Sequence, residues 1–153
     1  MGTELTAQSL TVTITEALAV DHANGSTNDI DFAQTYTHTY GSIANVSKRI
    51  VKLANTNLTE VATFGSTTAD GAFVRADVRY IRVTNLDSSD ALQVGLDDEA
   101  SDAGYTSVAA DSSIIYTGTT VEGDNGGSTL DNATALKVKG SSNQQLEVFI
   151  ASV

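Results

Sequence analysis

The chain has 153 residues, 41% of them hydrophobic, and carries 8 Lys and Arg against 19 Asp and Glu, for a formal net charge of −11. That length suits one domain, large enough to bury roughly two-thirds of its unfolded surface. The acidity argues against nucleic-acid binding, which needs clustered Lys and Arg to neutralise phosphates, and the absence of Cys excludes disulfides, thiolate metal sites and a cysteine nucleophile.

Proline is also absent, so every strand keeps its backbone donors and turns must come from Gly, Asn, Asp and Ser. Residues 1–9, polar with scattered apolar positions such as Leu5, read as a docking arm that could act by strand addition, or as a frayed terminus. They lack the basic and apolar regions of a signal peptide. Gly2 with Thr6 matches the myristoylation pattern, but no basic cluster follows to supply a second membrane signal. No apolar run approaches the roughly 20 residues of a membrane span.

Leu10, Val12 and Ile14 alternate with Thr11, Thr13 and Thr15, the period of a strand that continues weakly through Leu18 and Val20. A loop over 21–29 has Asn24-Gly25 as its turn. From Asp31 the alternation sets Phe32, Gln34, Tyr36, His38 and Tyr40 on one face and Ala33, Thr35, Thr37 and Thr39 on the other. Strands follow at Val46–Leu53 and Glu60–Phe64, and Ala54–Ala62 is the one stretch that admits a helical turn. A long strand then spans Phe73–Leu86, rich in β-branched and aromatic residues and closed by Asn85-Leu86-Asp87-Ser88-Ser89-Asp90. Apolar alternation resumes at Leu92, Val94 and Leu96, which predicts an antiparallel pair joined by a short polar turn. Two further hairpin-like units follow: Ser107–Ala110 with Ile114–Tyr116, and Ala135–Val138 with Leu146–Val153. Lys48, Arg49, Lys52, Arg75, Arg79 and Arg82 read as solvent-facing rungs of half-solvated strands. Eight or nine short strands, with no helical period, repeat or linker, predict a single all-β domain over 10–153. Its expected form is an antiparallel β-sandwich of the jelly-roll kind.

Catalytic vocabulary is thin. His22 and His38 are the only histidines, and neither a Gly-x-Ser-x-Gly elbow nor a His-Glu-x-x-His pair occurs; the expectation is a protein that is not an enzyme and holds no cofactor. Asp97, Asp98, Glu99 and Asp102 offer hard oxygen ligands of the type Ca²⁺ prefers, without EF-hand spacing. Glu122, Asp124 and Asn125 are a weaker set. Tyr36, Tyr40, Tyr105 and Tyr116 could form a carbohydrate-stacking platform or a protein interface, or belong to the sheets. For an interface the expected residues are Tyr36, His38 and Tyr40, with Leu5 on the arm.

Three runs carry a resemblance: Leu10-Thr11-Val12-Thr13-Ile14-Thr15-Glu16, Lys48-Arg49-Ile50-Val51, and Arg79-Tyr80-Ile81-Arg82-Val83-Thr84-Asn85-Leu86-Asp87. Together they resemble small β-rich virion structural proteins of tailed bacteriophages. Ala109-Ala110-Asp111-Ser112-Ser113-Ile114 stands where that group often has a Gly-containing turn. The resemblance implies a virion component made in the host bacterial cytoplasm, foremost a capsid decoration or cement protein on the outer shell. Its partners would be the major capsid protein or other virion proteins, and sister copies in a homo-oligomer such as a trimer; neither nucleic acid nor membrane is implied. A tail or neck component is the alternative within that class, and a lectin-like carbohydrate-binding module the alternative outside it.

Overall fold

The computed structural model describes residues 8–20, 30–67, 73–98, 104–117 and 133–153. Eleven strands lie within them. The first five are β1 (Gln8–Val20), β2 (Ile30–Ile43), β3 (Asn45–Lys52), β4 (Thr59–Gly65) and β5 (Phe73–Val74). The other six are β6 (Val78–Asn85), β7 (Leu92–Asp98), β8 (Thr106–Val108), β9 (Ser113–Thr117), β10 (Ala133–Lys139) and β11 (Gln145–Ser152).

β3 to β11 build two sheets, ordered β5-β4-β10-β7-β8 and β3-β11-β6-β9. With the two-residue β5 set aside, the remaining eight strands fall, in chain order, into sheets 1-8-3-6 and 2-7-4-5. That is a jelly roll: one long antiparallel ribbon, paired β3·β11, β4·β10, β6·β9 and β7·β8, wound into a sandwich. The expected fold class holds.

Alternation explains how each strand serves the core. On β6, Ile81 and Val83 face inwards, and on β11 Leu146, Val148 and Ile150 do the same. Leu92 and Val94 on β7, and Leu136 and Val138 on β10, meet them from the opposite sheet. These branched aliphatics are almost wholly shielded, and each contributes roughly 1.5–3 kcal/mol by leaving water. Leu53, just past β3, and Phe64 on β4 close the layer.

Pairing partners differ from the sequence expectation in three places. β6 and β7 do not form a hairpin: β6 belongs to the four-stranded sheet and β7 to the five-stranded one. The same separation holds for β8 and β9 and for β10 and β11, leaving β7·β8 as the one antiparallel hairpin of the roll among the described residues. Period-two alternation fixes which side chains enter the core, and an arch between sheets satisfies it as well as a hairpin does. The connection after β6 shows what selects the arch. Asn85 is fully buried, and its Nδ2 donates to the carbonyls of Asp90, Val108 and Ala109 at 2.8, 3.3 and 3.1 Å. Its Oδ1 accepts from the Asp87 N–H and from Gln144 Nε2. Gln144, equally enclosed, also donates to the Asp90 carbonyl and accepts from the Ser141 N–H. Three arches are thereby tied together from inside at one end of the sandwich. The carboxylate of Asp87 accepts from the backbone N–H groups of Asp90 and Ser89 and from the Ser89 hydroxyl, which holds its pKa below the ordinary value.

Two boundaries also shift. The long strand expected over Phe73–Leu86 is broken by a 3₁₀ turn at Arg75–Asp77, which moves the chain from the edge of one sheet to the middle of the other. Ala54–Asn57 is a bend without a helical turn, and β4 then starts at Thr59.

Candidate functional site

β1 and β2 stand outside the roll as a two-stranded antiparallel ribbon, about 40 Å long at the usual rise per residue. Register pairs Leu10 with Tyr40, Val12 with His38 and Ile14 with Tyr36, while Thr11, Thr13 and Thr15 pair with Thr39, Thr37 and Thr35. The ribbon is therefore chemically two-sided. On the threonine face the hydroxyls meet in cross-strand hydrogen bonds of 3.2, 3.4 and 3.4 Å, all exposed. On the other face lie the aliphatic and aromatic side chains. β1 begins at Gln8, so Gln8 and Ser9 are strand rather than arm.

Isolated two-stranded ribbons are marginal in water, and this one is held by its root. Leu10, Val12 and Tyr40 pack with Ile43 onto Tyr80, Phe149 and Ala151, on the outer face of the four-stranded sheet. Rings continue the contact: His38 meets Tyr40 edge-on at 4.4 Å between centroids, Tyr40 lies 6.0 Å from Tyr80, and Tyr80 lies 5.9 Å from Phe149. Burial raises the Tyr80 hydroxyl's pKa. Beyond the root the layers part. A groove of about 290 Å³ runs between them, walled by Ile14, Tyr36, His38 and Tyr40 on the ribbon and by Ile115 and Thr117 on β9. Ile14, Tyr36 and Ile115 remain 46%, 51% and 36% exposed. No ionisable side chain other than His38 and the tyrosines lines it.

The other flank, about 340 Å³, is more polar, with Lys48 and Arg82 beside Leu10, Val12 and Phe149. Arg82 donates to Glu147 at 2.5 Å, Lys48 lies 3.2 Å from the same carboxylate, and the guanidinium sits 5.8 Å from the Phe149 ring centre. The Arg82 hydrogen bond, then Lys48, holds the Glu147 carboxyl below its ordinary pKa of 4.5 against an opposing effect of burial. A depressed carboxyl contributes stability above its unfolded value and loses it as pH falls through the folded one. Thermal melts should therefore show stability falling as acid is added below about pH 4.5, and Glu147→Gln should make that fall shallower. An unchanged slope in the variant would exclude the triad as its source.

The expected interface residues Tyr36, His38 and Tyr40 thus share one wall of one groove, as the alternation implied. Leu5 lies outside the described residues. Sequence reasoning missed the opposing wall, Ile115 and Thr117, and the part played by Ile14 and Val12. The signal for the latter was present in the alternation of Leu10, Val12 and Ile14 with threonines, which identified a strand but not what it faces. The four tyrosines do not form one platform: Tyr116 packs on the inner core with its pKa raised by burial. The Tyr105 ring lies over Gly95 of the five-stranded sheet, 2.7 Å from where a Cβ would stand.

Of the calcium candidates, Asp97 accepts a hydrogen bond from the Lys137 ammonium, which raises the lysine's pKa. The side chains of Asp98, Glu99 and Asp102, and the second set at Glu122, Asp124 and Asn125, lie outside the described residues. Among the described residues no three His, Asp or Glu side chains gather as a metal centre would require. His38 meets Tyr40 edge-on and forms no hydrogen bond to a hydroxyl among those residues. No helix of the described residues is long and apolar enough to cross a membrane.

No family model matches the chain, and no curated protein matches it either.

Proposed function

We infer that this chain is a non-enzymatic structural protein of a bacteriophage virion, most specifically a capsid decoration protein that docks on the outer shell. The observation that carries the reading is the appended ribbon. An eight-stranded roll is complete without β1 and β2, yet the chain spends 13 and 14 residues on them and leaves Ile14, Tyr36 and Ile115 open on facing walls. Uncharged aromatic surface set in an acidic molecule suits contact with another protein, where Tyr buries much area at little entropic cost. Jelly rolls occur in viral capsid proteins and in lectins alike, so the fold supports the reading by analogy only. The sequence resemblance to small phage virion proteins adds its weight to the capsid side.

Co-sedimentation with empty shells of the cognate major capsid protein tests it. Wild-type protein should bind saturably, and Tyr36→Ser with Ile14→Ser should lower affinity at least tenfold while leaving the melting temperature within about 3 °C, since both side chains are half exposed. Failure of the folded wild type to bind shells would reject the decoration role. Binding of a neutral glycan in the groove, lost with the same two substitutions, would favour the lectin-like reading instead.

A further inference from the structure

Among the described residues the four-stranded sheet ends in two unpaired edges, and they complement one another. Among the described residues β3 pairs only with β11, and β9 only with β6. The directions of their spare backbone groups follow from the ladder. The Leu53 N–H donates to the Gln144 carbonyl, so the odd residues of β3 face β11 and Val46, Lys48, Ile50 and Lys52 turn their N–H and C=O outwards. The Asn85 N–H donates to the Ser112 carbonyl, so Ser113, Ile115 and Thr117 turn theirs outwards on β9. Rows across the sheet put Ile50, Glu147, Thr84 and Ser113 at one level, and Lys48, Phe149, Arg82 and Ile115 at the next.

We propose that copies of this chain associate head to tail, β3 of one adding to β9 of the next as an antiparallel strand of a continuous sheet. Continuing the rows into a neighbour sets Ile50 against Ser113, Lys48 against Ile115 and Val46 against Thr117, each pair with its backbone groups turned towards the other. The strand directions agree: β3 runs with β6 and antiparallel to β9, so the added strand keeps the sheet antiparallel throughout.

Side chains support the same pairing. β3 holds three of the chain's eight cations, Lys48, Arg49 and Lys52, and no carboxylate. Lys48 is tied to Glu147, whereas Arg49 and Lys52 form no ion pair among the described residues. The β9 end has the opposite sign. Asp111 precedes Ser113 by two residues, just as Lys52 follows Ile50 by two, and Asp87 adjoins it through the bond from the Asp111 N–H to the Asp87 carbonyl. Addition therefore brings Lys52 of one copy beside Asp111 of the next. A lysine-bearing edge can simply repel other strands, but this one also exposes Val46 at 59% and Ile50 at 65%, large aliphatic surface that a guarded edge would omit. A two-fold pairing of β3 with its own copy would set cation against cation, which disfavours it. What remains is a heterologous contact, the kind that closes into a ring or grows into a filament.

The proposal supplies the sister-copy contact of a virion protein, but it requires no shell, so it stands or falls apart from the decoration reading. Light scattering on the purified full chain at physiological salt should give a mass several times 15.9 kDa. Lys52→Asp should weaken association roughly tenfold by turning an attractive pair into a repulsive one, and adding Asp111→Lys to that variant should restore it. Ile50→Pro removes an outward N–H without touching the β11 ladder and should leave only monomer with its melt intact. A wild type that stays at 15.9 kDa at every concentration overturns the proposal. So does an assembly indifferent to both Lys52→Asp and Ile50→Pro, even if either protein still binds shells.

Discussion

Asn85→Ala should destabilise the protein by about 4 kcal/mol, more than removal of any exposed hydrogen-bonding side chain, because the amide is wholly enclosed and its bonds to Val108 and Gln144 are shut off from water. Three carbonyls, those of Asp90, Val108 and Ala109, lose their shared donor, and the Asp87 N–H and Gln144 Nε2 lose their acceptor. Each buried group left unsatisfied costs about 1–3 kcal/mol, and partial collapse or entry of a water lowers the sum. At this chain length 1 kcal/mol moves the melting temperature by roughly 2–4 °C, so a drop of about 10 °C is expected. Gln144→Ala should give a smaller but substantial loss, and the double variant should lose less than the two singles added together, since the residues share a bond of 3.0 Å. Urea titration of all three proteins provides the measurement. A loss under about 1 kcal/mol for Asn85→Ala would mean that the network does not hold the arches.

Gly140 belongs to the same construction. A Cβ there would collide with the Gln144 side-chain oxygen and press on Leu53 at 3.1 Å. The glycine is needed so that a buried amide can cross the turn, a requirement set by close approach rather than by chain flexibility.

This network also explains which parts of the fold could be read in advance. Alternation located β3, β4, β7, β10 and β11 to within a residue or two, and β6 at its end but not at its start, because period-two patterning follows from burial on one face alone. Strand partners are another matter. Asn-Leu-Asp-Ser-Ser-Asp reads as turn chemistry whether the chain folds back on its own sheet or climbs to the other. The deciding fact is that Asn85 is enclosed by residues at 108–109 and 144, contacts 23 or more positions away in sequence. The groove divides along the same line. Tyr36, His38 and Tyr40 share a face by local parity, so their grouping was evident from the chain. The opposing Ile115 and Thr117 come from a strand some 75 positions later and are brought there only by the roll. Tyr116 shows the cost of one step of parity, since its neighbour Ile115 faces the groove while its own ring enters the core.

Tyr80→Ala should release the β1–β2 ribbon while leaving the roll folded, at a cost of about 3 kcal/mol. Tyr80 is the one large side chain of the sheet that is buried beneath the ribbon, at 4% exposure, and it joins Tyr40 to Phe149. On its own the ribbon has threonine hydroxyl pairs worth only about 0.2–1 kcal/mol each, and a free two-stranded ribbon does not hold in water. Loss of the root should therefore be felt selectively. Amide exchange in peptides covering 8–17 and 33–43 should accelerate at least tenfold, while β6 and β11, whose inward residues lie in the separate inner core, keep most of their protection. Equal acceleration in both regions would show instead that ribbon and roll unfold as one unit. Selective release carries a functional consequence, because the groove exists only while the ribbon is laid on the sheet. Shell binding should then fall with Tyr80→Ala as far as it does with Tyr36→Ser and Ile14→Ser. Head-to-tail association through β3 and β9 should persist, since its ladder is made by the outward backbone groups of those two edge strands and uses no contact with the ribbon.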